Sequence, residues 1–119
     1  MSHVLVVDDD SSIVSTVSAV LQEEGYAVTT ANDGQAALRK LDQELPALVL
    51  LDMRMPVMDG WQFAQEIKRR GIEVPIVVMT AAQDAQRWAV EIGADGYVAK
   101  PFDIDELLGV VERHQKPAC

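Results

Sequence analysis

The sequence predicts an α/β fold: a doubly wound sheet of five parallel strands in the order 2-1-3-4-5. Three observations carry this expectation. Two runs, Val4-Leu-Val-Val7 and Ala47-Leu-Val-Leu-Leu51, are apolar at every position and end abruptly in acid. Runs of that kind read as strands buried on both faces, as in a parallel sheet covered by helices. Strand-like and helix-like stretches then alternate five times, with no long linker and no internal repeat, which is the pattern of a parallel sheet wrapped on both sides. Polar residues fit for chemistry stand at the strands' carboxyl ends, where open α/β sheets hold their ligands. Right-handed crossovers, with strand order reversing beside strand one, leave few other topologies. The switch point then falls between strands one and three.

The elements follow in order. Residues 4–7 end in Asp8-Asp9-Asp10, and Ser11 and Ser12 are suited to cap the next helix. Ile13, Val17, Val20 and Leu21 recur at helical spacing, and Gly25 supplies the stop. Residues 26–30 are short and β-prone. Asn32-Asp33-Gly34 signals a turn, and residues 35–45 form an Ala- and Leu-rich helix ended by Pro46. The third strand stops at Asp52, because Pro56 has no N–H for a sheet and Asp52 resists burial. Asp59 caps a helix with Trp61, Ala64 and Ile67 on one face, stopped by Gly71. Residues 75–80 form the fourth strand, with Pro75 at the permitted first position. Asp84 begins a helix that ends at Gly93, and residues 96–99 form a short fifth strand before Lys100-Pro101. Asp103, with Glu106 three residues on, reads as a capping box for a last helix with Ile104, Leu107, Leu108 and Val111 inward.

With 119 residues the chain suffices for one domain with a real core and no disulfide or metal staples. Lys and Arg number 10 against 19 Asp and Glu, a formal charge of −9. So acidic a surface has no bulk attraction for nucleic acid or anionic membrane, and it draws cations and basic protein surfaces. The single cysteine, Cys119, cannot form an internal disulfide, which fits a reducing cytosol. The first residues pass straight into a strand-like run without a signal peptide, and no apolar stretch approaches transmembrane length. The expected location is the cytoplasm.

Strand one ends in Asp8 and Asp9, strand three in Asp52, strand four in Thr80 and strand five in Lys100. Three carboxylates in one crevice repel and raise one another's pKa values. Around a hard divalent cation they become favourable together. Mg²⁺ (or Mn²⁺) suits a site of few carboxylates, a backbone carbonyl and retained waters. Lys100 adds a second positive charge. A metal, an ammonium and a hydroxyl donor together can hold the three peripheral oxygens of a transferring phosphoryl group. Asp52, centrally placed, is the candidate nucleophile, giving an acyl phosphate.

These residues resemble a family. Val-Val-Asp8-Asp9, Leu-Leu-Asp52-Met-Arg-Met-Pro56, Met58-Asp59-Gly60, Met79-Thr80-Ala81, Gly93-Ala94-Asp95-Gly96-Tyr97 and Lys100-Pro101-Phe102 run in order from residue 4 to about residue 113. Each is weak alone; the ordered set resembles the receiver domain of bacterial two-component response regulators. The resemblance implies a flavodoxin-like (βα)5 fold and a role for each position. Asp52 is then the phosphoacceptor. Asp9 is the direct metal carboxylate, Asp8 acts mainly through water, and the Arg54 backbone carbonyl is a further metal ligand. Lys100 contacts the phosphoryl group, Thr80 bonds one of its oxygens after reaction, Pro101 makes a cis peptide, and Tyr97 changes rotamer. The implied phosphodonor is a sensor histidine kinase or phosphotransfer protein. A downstream protein reads the face made by helix four, strand five and helix five, with no direct contact to nucleic acid or membrane. Such a domain catalyses only its own phosphorylation and dephosphorylation and is not otherwise an enzyme. A single receiver domain over residues 1–119 with no effector domain is expected, either as a stand-alone regulator or as a piece of a longer protein. Two departures stand out. Between Thr80 and Lys100 the chain is slightly shorter than many members, so either the strand-four loop or helix four is cut back. Asp10 adds a third acid, suited to helix capping beside Ser11.

Plainer readings stand beside these. Asp8-Asp9-Asp10 alone is a solvated helix-start cluster, and Thr80 alone a β-branched strand residue. Tyr97 reads as readily as a half-buried aromatic with a wet hydroxyl as it does as a switch. Met53, Met55 and Met58 are loop and core filler. Trp61 and Trp88 are core or partner contacts, Trp88 being partly exposed. His3 and His114 are solvated side chains, not phosphohistidines. Among rival functions, a haloacid-dehalogenase-like phosphatase also uses a strand-end Asp with Mg²⁺, and Asp8-Asp9-Asp10 contains an Asp-x-Asp. That family needs further acids after its lysine, and only helix follows Lys100. A flavodoxin-like flavin phosphate binder needs a hydroxyl- and glycine-rich loop after strand one, where here three aspartates repel phosphate. A degenerate receiver used only for docking is opposed by the intact Asp9, Asp52, Thr80 and Lys100.

Overall fold

Five strands alternate with five helices in a computed structural model that describes residues 3–55 and 57–114. They are β1 (His3–Val7), α1 (Ser11–Glu23), β2 (Ala27–Ala31), α2 (Gly34–Gln43), β3 (Leu48–Asp52), α3 (Gly60–Arg69), β4 (Ile76–Ala81), α4 (Ala82–Ile92), β5 (Gly96–Lys100) and α5 (Ile104–His114). Every pairing is parallel and the strand order is β2-β1-β3-β4-β5, as the alternation implied. The expectations resting on Pro56 and Cys119 lie outside the described residues.

The apolar runs are explained by burial on both faces. Successive side chains of a strand point to opposite sides. Leu5, Val7, Val49, Leu51 and Val78 pack with Leu38, Leu41, Phe63, Ile67 and Ile92 on the side of α2, α3 and α4. Val4, Val6, Leu48, Leu50, Val77 and Met79 pack with Val17, Leu21, Leu107 and Val111 on the side of α1 and α5. Each fully buried Leu or Phe contributes roughly 1.5–3 kcal/mol through lost contact with water. This two-sided core fixes β1, β3 and β4 side by side and leaves their carboxyl ends open.

Several helix boundaries differ from expectation. Asp10, not a serine, is the N-cap of α1: its Oδ1 accepts the Ser12 N–H at 2.9 Å and the Ile13 N–H at 3.4 Å. Ser11 is already helical, because a carboxylate one residue earlier satisfies the free donors. Asp33 caps α2, which starts at Gly34 and ends at Gln43, leaving Leu45 exposed. Asp59 and Gln62 form a reciprocal capping box on α3. Helix α4 begins at Ala82, directly after β4, rather than at Asp84, and Ala81 provides no side-chain cap. No residue separates β4 from α4.

Inward faces differ too. Trp61 faces solvent, and Phe63 is the buried aromatic of α3, because residues 60, 63, 64 and 67 form the inner stripe. Ile104 is 57% exposed; Leu107, Val110 and Val111 form the inner stripe of α5. His3 is buried as the first residue of β1, with Nδ1 3.6 Å from Glu44 Oε1. His114 is half-buried, its ring lying over Gly96 where a Cβ would fall 2.6 Å from Nε2. Neither histidine is a solvated side chain.

Candidate functional site

The register of the sheet assembles the site. Val7 pairs with Leu51, so Asp8 and Asp52 leave neighbouring strands at one level. Asp52 pairs with Met79, and Ala81 with Lys100, which carries the same edge across to β5. Asp8 is buried, and its two oxygens are both engaged. Oδ1 accepts the Asp10 N–H at 2.9 Å, and Oδ2 accepts a hydrogen bond from Lys100 Nζ at 2.8 Å. Lys100 Nζ also lies 3.5 Å from Asp52 Oδ1. The direct Asp8–Lys100 pair was not legible in the sequence, which placed the lysine's charge in the crevice of the acids without a direct partner among them.

Asp52 is buried at the carboxyl end of β3. Burial, and then the charge of Asp8, push its carboxyl up to about 6, against the pull of Lys100. Asp9 is exposed at the rim. One carboxylate oxygen from each of Asp8, Asp9 and Asp52 lies within 4.8 Å of the others. That donor set fits a hard divalent cation: oxygen ligands only, more negative charge than Lys100 balances, and one open side for water.

The other sequence-selected residues divide. Thr80 is buried at the end of β4, opposite Ala99. Tyr97 lies opposite Val78, farther back on β5, and is 45% exposed, so it is not gathered with the acids. The Lys100–Pro101 peptide is cis, as the resemblance implied. Arg54 lies on the β3–α3 loop, and its guanidinium reaches outward to Asp84 Oδ2 at 3.4 Å. Two glycines that hold this loop were read only as turn and motif positions. The Gly34 N–H donates to the Met58 carbonyl at 2.9 Å, and a Cβ at Gly34 would lie 2.6 Å from Met58 Cγ. At Gly60 a Cβ would lie 2.6 Å from the Asp52 carbonyl oxygen. The signal for both was a glycine following an aspartate that caps a helix.

A family model described as response regulator receiver domain matches residues 4–112. The chain belongs to this family. Domains of this kind work with histidine kinases in two-component signalling. The receiver domain is 47% identical over 106 residues to the probable transcriptional regulator ycf27 of Guillardia theta, covering 87% of this chain and 41% of that protein. To the DNA-binding transcriptional regulator NtrC of Escherichia coli it is 43% identical over 112 residues, covering 92% of this chain and 24% of that one. The chain thus spans less than half the length of these curated relatives. The chemotaxis protein CheY4 of Vibrio cholerae superposes with a TM-score of 0.85 at 35% identity, covering 95% of this chain and 98% of CheY4. No helix among the described residues is long and apolar enough to cross a membrane.

Proposed function

We propose that this receiver domain accepts a phosphoryl group on Asp52, in a Mg²⁺-dependent (or Mn²⁺-dependent) reaction, from a histidine kinase or phosphotransfer protein. The observation that carries the reading is the convergence of Asp8, Asp9 and Asp52 at one sheet edge with Lys100 bridging two of them. Asp8, Asp9, Asp52 and the Arg54 carbonyl would hold the cation, which when bound supplies positive charge for the phosphoryl oxygens. A pKa of about 6 leaves Asp52 mostly ionised at neutral pH, so it can attack phosphorus as a carboxylate. The new Asp52 O–P bond forms as the P–N bond to the donor's imidazole breaks, and the imidazole keeps that electron pair. Lys100, already beside both Asp8 and Asp52, turns its ammonium to a phosphoryl oxygen. The Thr80 hydroxyl answers from β4.

On this reading the domain is a cytoplasmic signalling phosphoacceptor that catalyses only its own phosphorylation and dephosphorylation. Its output is the surface of α4, β5 and α5, with Tyr97 turning inward and a downstream protein as the reader. A small phosphodonor with Mg²⁺ should add one phosphoryl group, which alkali removes as it does acyl phosphates. Intact-mass measurement of Asp52→Asn decides the assignment. Equal labelling of that variant would move the nucleophile elsewhere, with Asp8 the next suspect.

A further inference from the structure

Arg54 connects two parts of the molecule. It stands two residues after Asp52 on the β3–α3 loop, while its guanidinium lies 3.4 Å from Asp84 Oδ2 in the first turn of α4. The arginine side chain is 79% exposed, so it keeps room to move, whereas the Asp84 side chain is 15% exposed. Asp84 also accepts a hydrogen bond from Arg87 of its own helix at 3.1 Å, so departure of Arg54 would not leave it unpaired. Helix α4 follows β4 without a loop and has no side-chain cap. Asp84 is the acid of its first turn and compensates the positive end of the helix.

We propose that Arg54 is a relay between the phosphoryl site and α4: at rest it ties the β3–α3 loop to Asp84, and a phosphoryl group on Asp52 draws the guanidinium away, freeing the first turn of α4. The relay rests on the reading of Asp52 as the phosphoacceptor. Its driving force is a difference between two acceptors. A phosphoryl group carries about −1.5 to −2 charge on three strong acceptor oxygens, and the planar guanidinium matches it with two parallel donors. Asp84 offers one charge, already shared with Arg87. Arg54 lies two residues beyond Asp52, on the loop that follows β3, so the exchange needs a side-chain swing and no rearrangement of the sheet.

Beryllofluoride with Mg²⁺ serves as the probe, titrated into the full chain and followed by amide NMR. Asp84 competes for the arginine at rest, so Asp84→Asn should tighten beryllofluoride binding about two- to fivefold, the scale of an exposed ion pair. Arg54→Ala should weaken it by at least as much. In the Arg54→Ala background, Asp84→Asn should change nothing further, because the two residues act through one contact. The amides of residues 82–88 in Asp84→Asn should already be shifted, without the probe, toward their bound positions in the parent. General removal of negative charge would act differently, tightening binding in both backgrounds and equally in Glu91→Gln. The relay is overturned if Asp84→Asn still tightens binding without Arg54, or if Arg54→Ala binds as the parent does. Failure of the parent to bind beryllofluoride, or unchanged binding in Asp52→Asn, overturns the phosphoacceptor reading itself.

Discussion

The ammonium of Lys100 stands 2.8 Å from Asp8 Oδ2 and 3.5 Å from Asp52 Oδ1. Its first partner at rest is thus the buried acid of β1, and the phosphoacceptor candidate is its second. A divalent cation held by the same acids would address overlapping charge, and would substitute in part for the lysine.

Lys100→Ala should expose this overlap. The substitution leaves the fully buried Asp8 carboxylate without its cation, a loss of about 3 kcal/mol by the measure of broken buried pairs. Added Mg²⁺ should restore part of that stability, since it supplies positive charge to the same acids. Denaturant melts with and without Mg²⁺ check this. Equal stability of parent and variant in metal-free buffer would show that Asp8 is satisfied some other way.

The raised pKa of Asp52 gives a second expectation, for the metal-free protein. Its folded value is about 6 against an ordinary value of 3.8, so as pH rises the unfolded chain ionises first. Ionisation then favours the unfolded state, and this contribution to stability is lost on going up through the folded pKa. Asp52→Asn removes the effect. It should be more stable than the parent by about 2–3 kcal/mol near pH 8, with the difference closing near pH 4. Urea melts at the two pH values test it; a constant difference would mean that Asp52 titrates normally.

Much of this molecule was legible in the sequence, for identifiable reasons. The two-sided burial of β1 and β3 forced all-apolar runs, so strands, order and the strand-end acids could all be read. Helix starts were less legible, because Asp10 and Ser11 are both good caps and only the fold selects between them. Ile104 misled because it fits the apolar spacing of α5, yet it is the first residue of that helix and is exposed. The pairs Asp8–Lys100 and Arg54–Asp84 join residues far apart in the chain. Nothing in local patterning marks such pairs, since any acid complements any base.

Two glycines should behave oppositely when replaced by alanine. At Gly60 the new Cβ would meet the Asp52 carbonyl oxygen at 2.6 Å and Met53 Cα at 2.8 Å, both backbone atoms that cannot swing away. Gly60→Ala should lose about 1–3 kcal/mol through overpacking and weaken Mg²⁺ binding by displacing the loop that follows Asp52. Gly109 lies within α5 with nothing within 4 Å of the added carbon. Gly109→Ala should gain about 0.5–1 kcal/mol from helix propensity and leave Mg²⁺ binding unchanged. Thermal melts and Mg²⁺ calorimetry on both variants decide it. Undiminished metal affinity in Gly60→Ala would detach the loop from the site.

The last expectation concerns how the site reaches α4. Thr80 is buried at the end of β4, and α4 begins two residues later with no intervening loop. A threonine hydroxyl is short, so bonding a phosphoryl oxygen on Asp52 requires the backbone at Thr80 to move. With no slack between strand and helix, Ala82 and the first turn of α4 must move with it. That motion would change the surface beside β5, where Tyr97 is 45% exposed. A ligand shifts an equilibrium only through contacts that differ between the two states, and the Thr80 hydrogen bond is one. A bond to a charged acceptor contributes about 1.5–3 kcal/mol, roughly tenfold to a hundredfold in population. Thr80→Ala should therefore still be phosphorylated while losing most of the response of α4 and β5. Amide NMR of the two elements, with and without beryllofluoride, measures it. If the variant and the parent show the same shifts, Thr80 is not the coupling residue, and the direct β4–α4 junction transmits the change through other contacts.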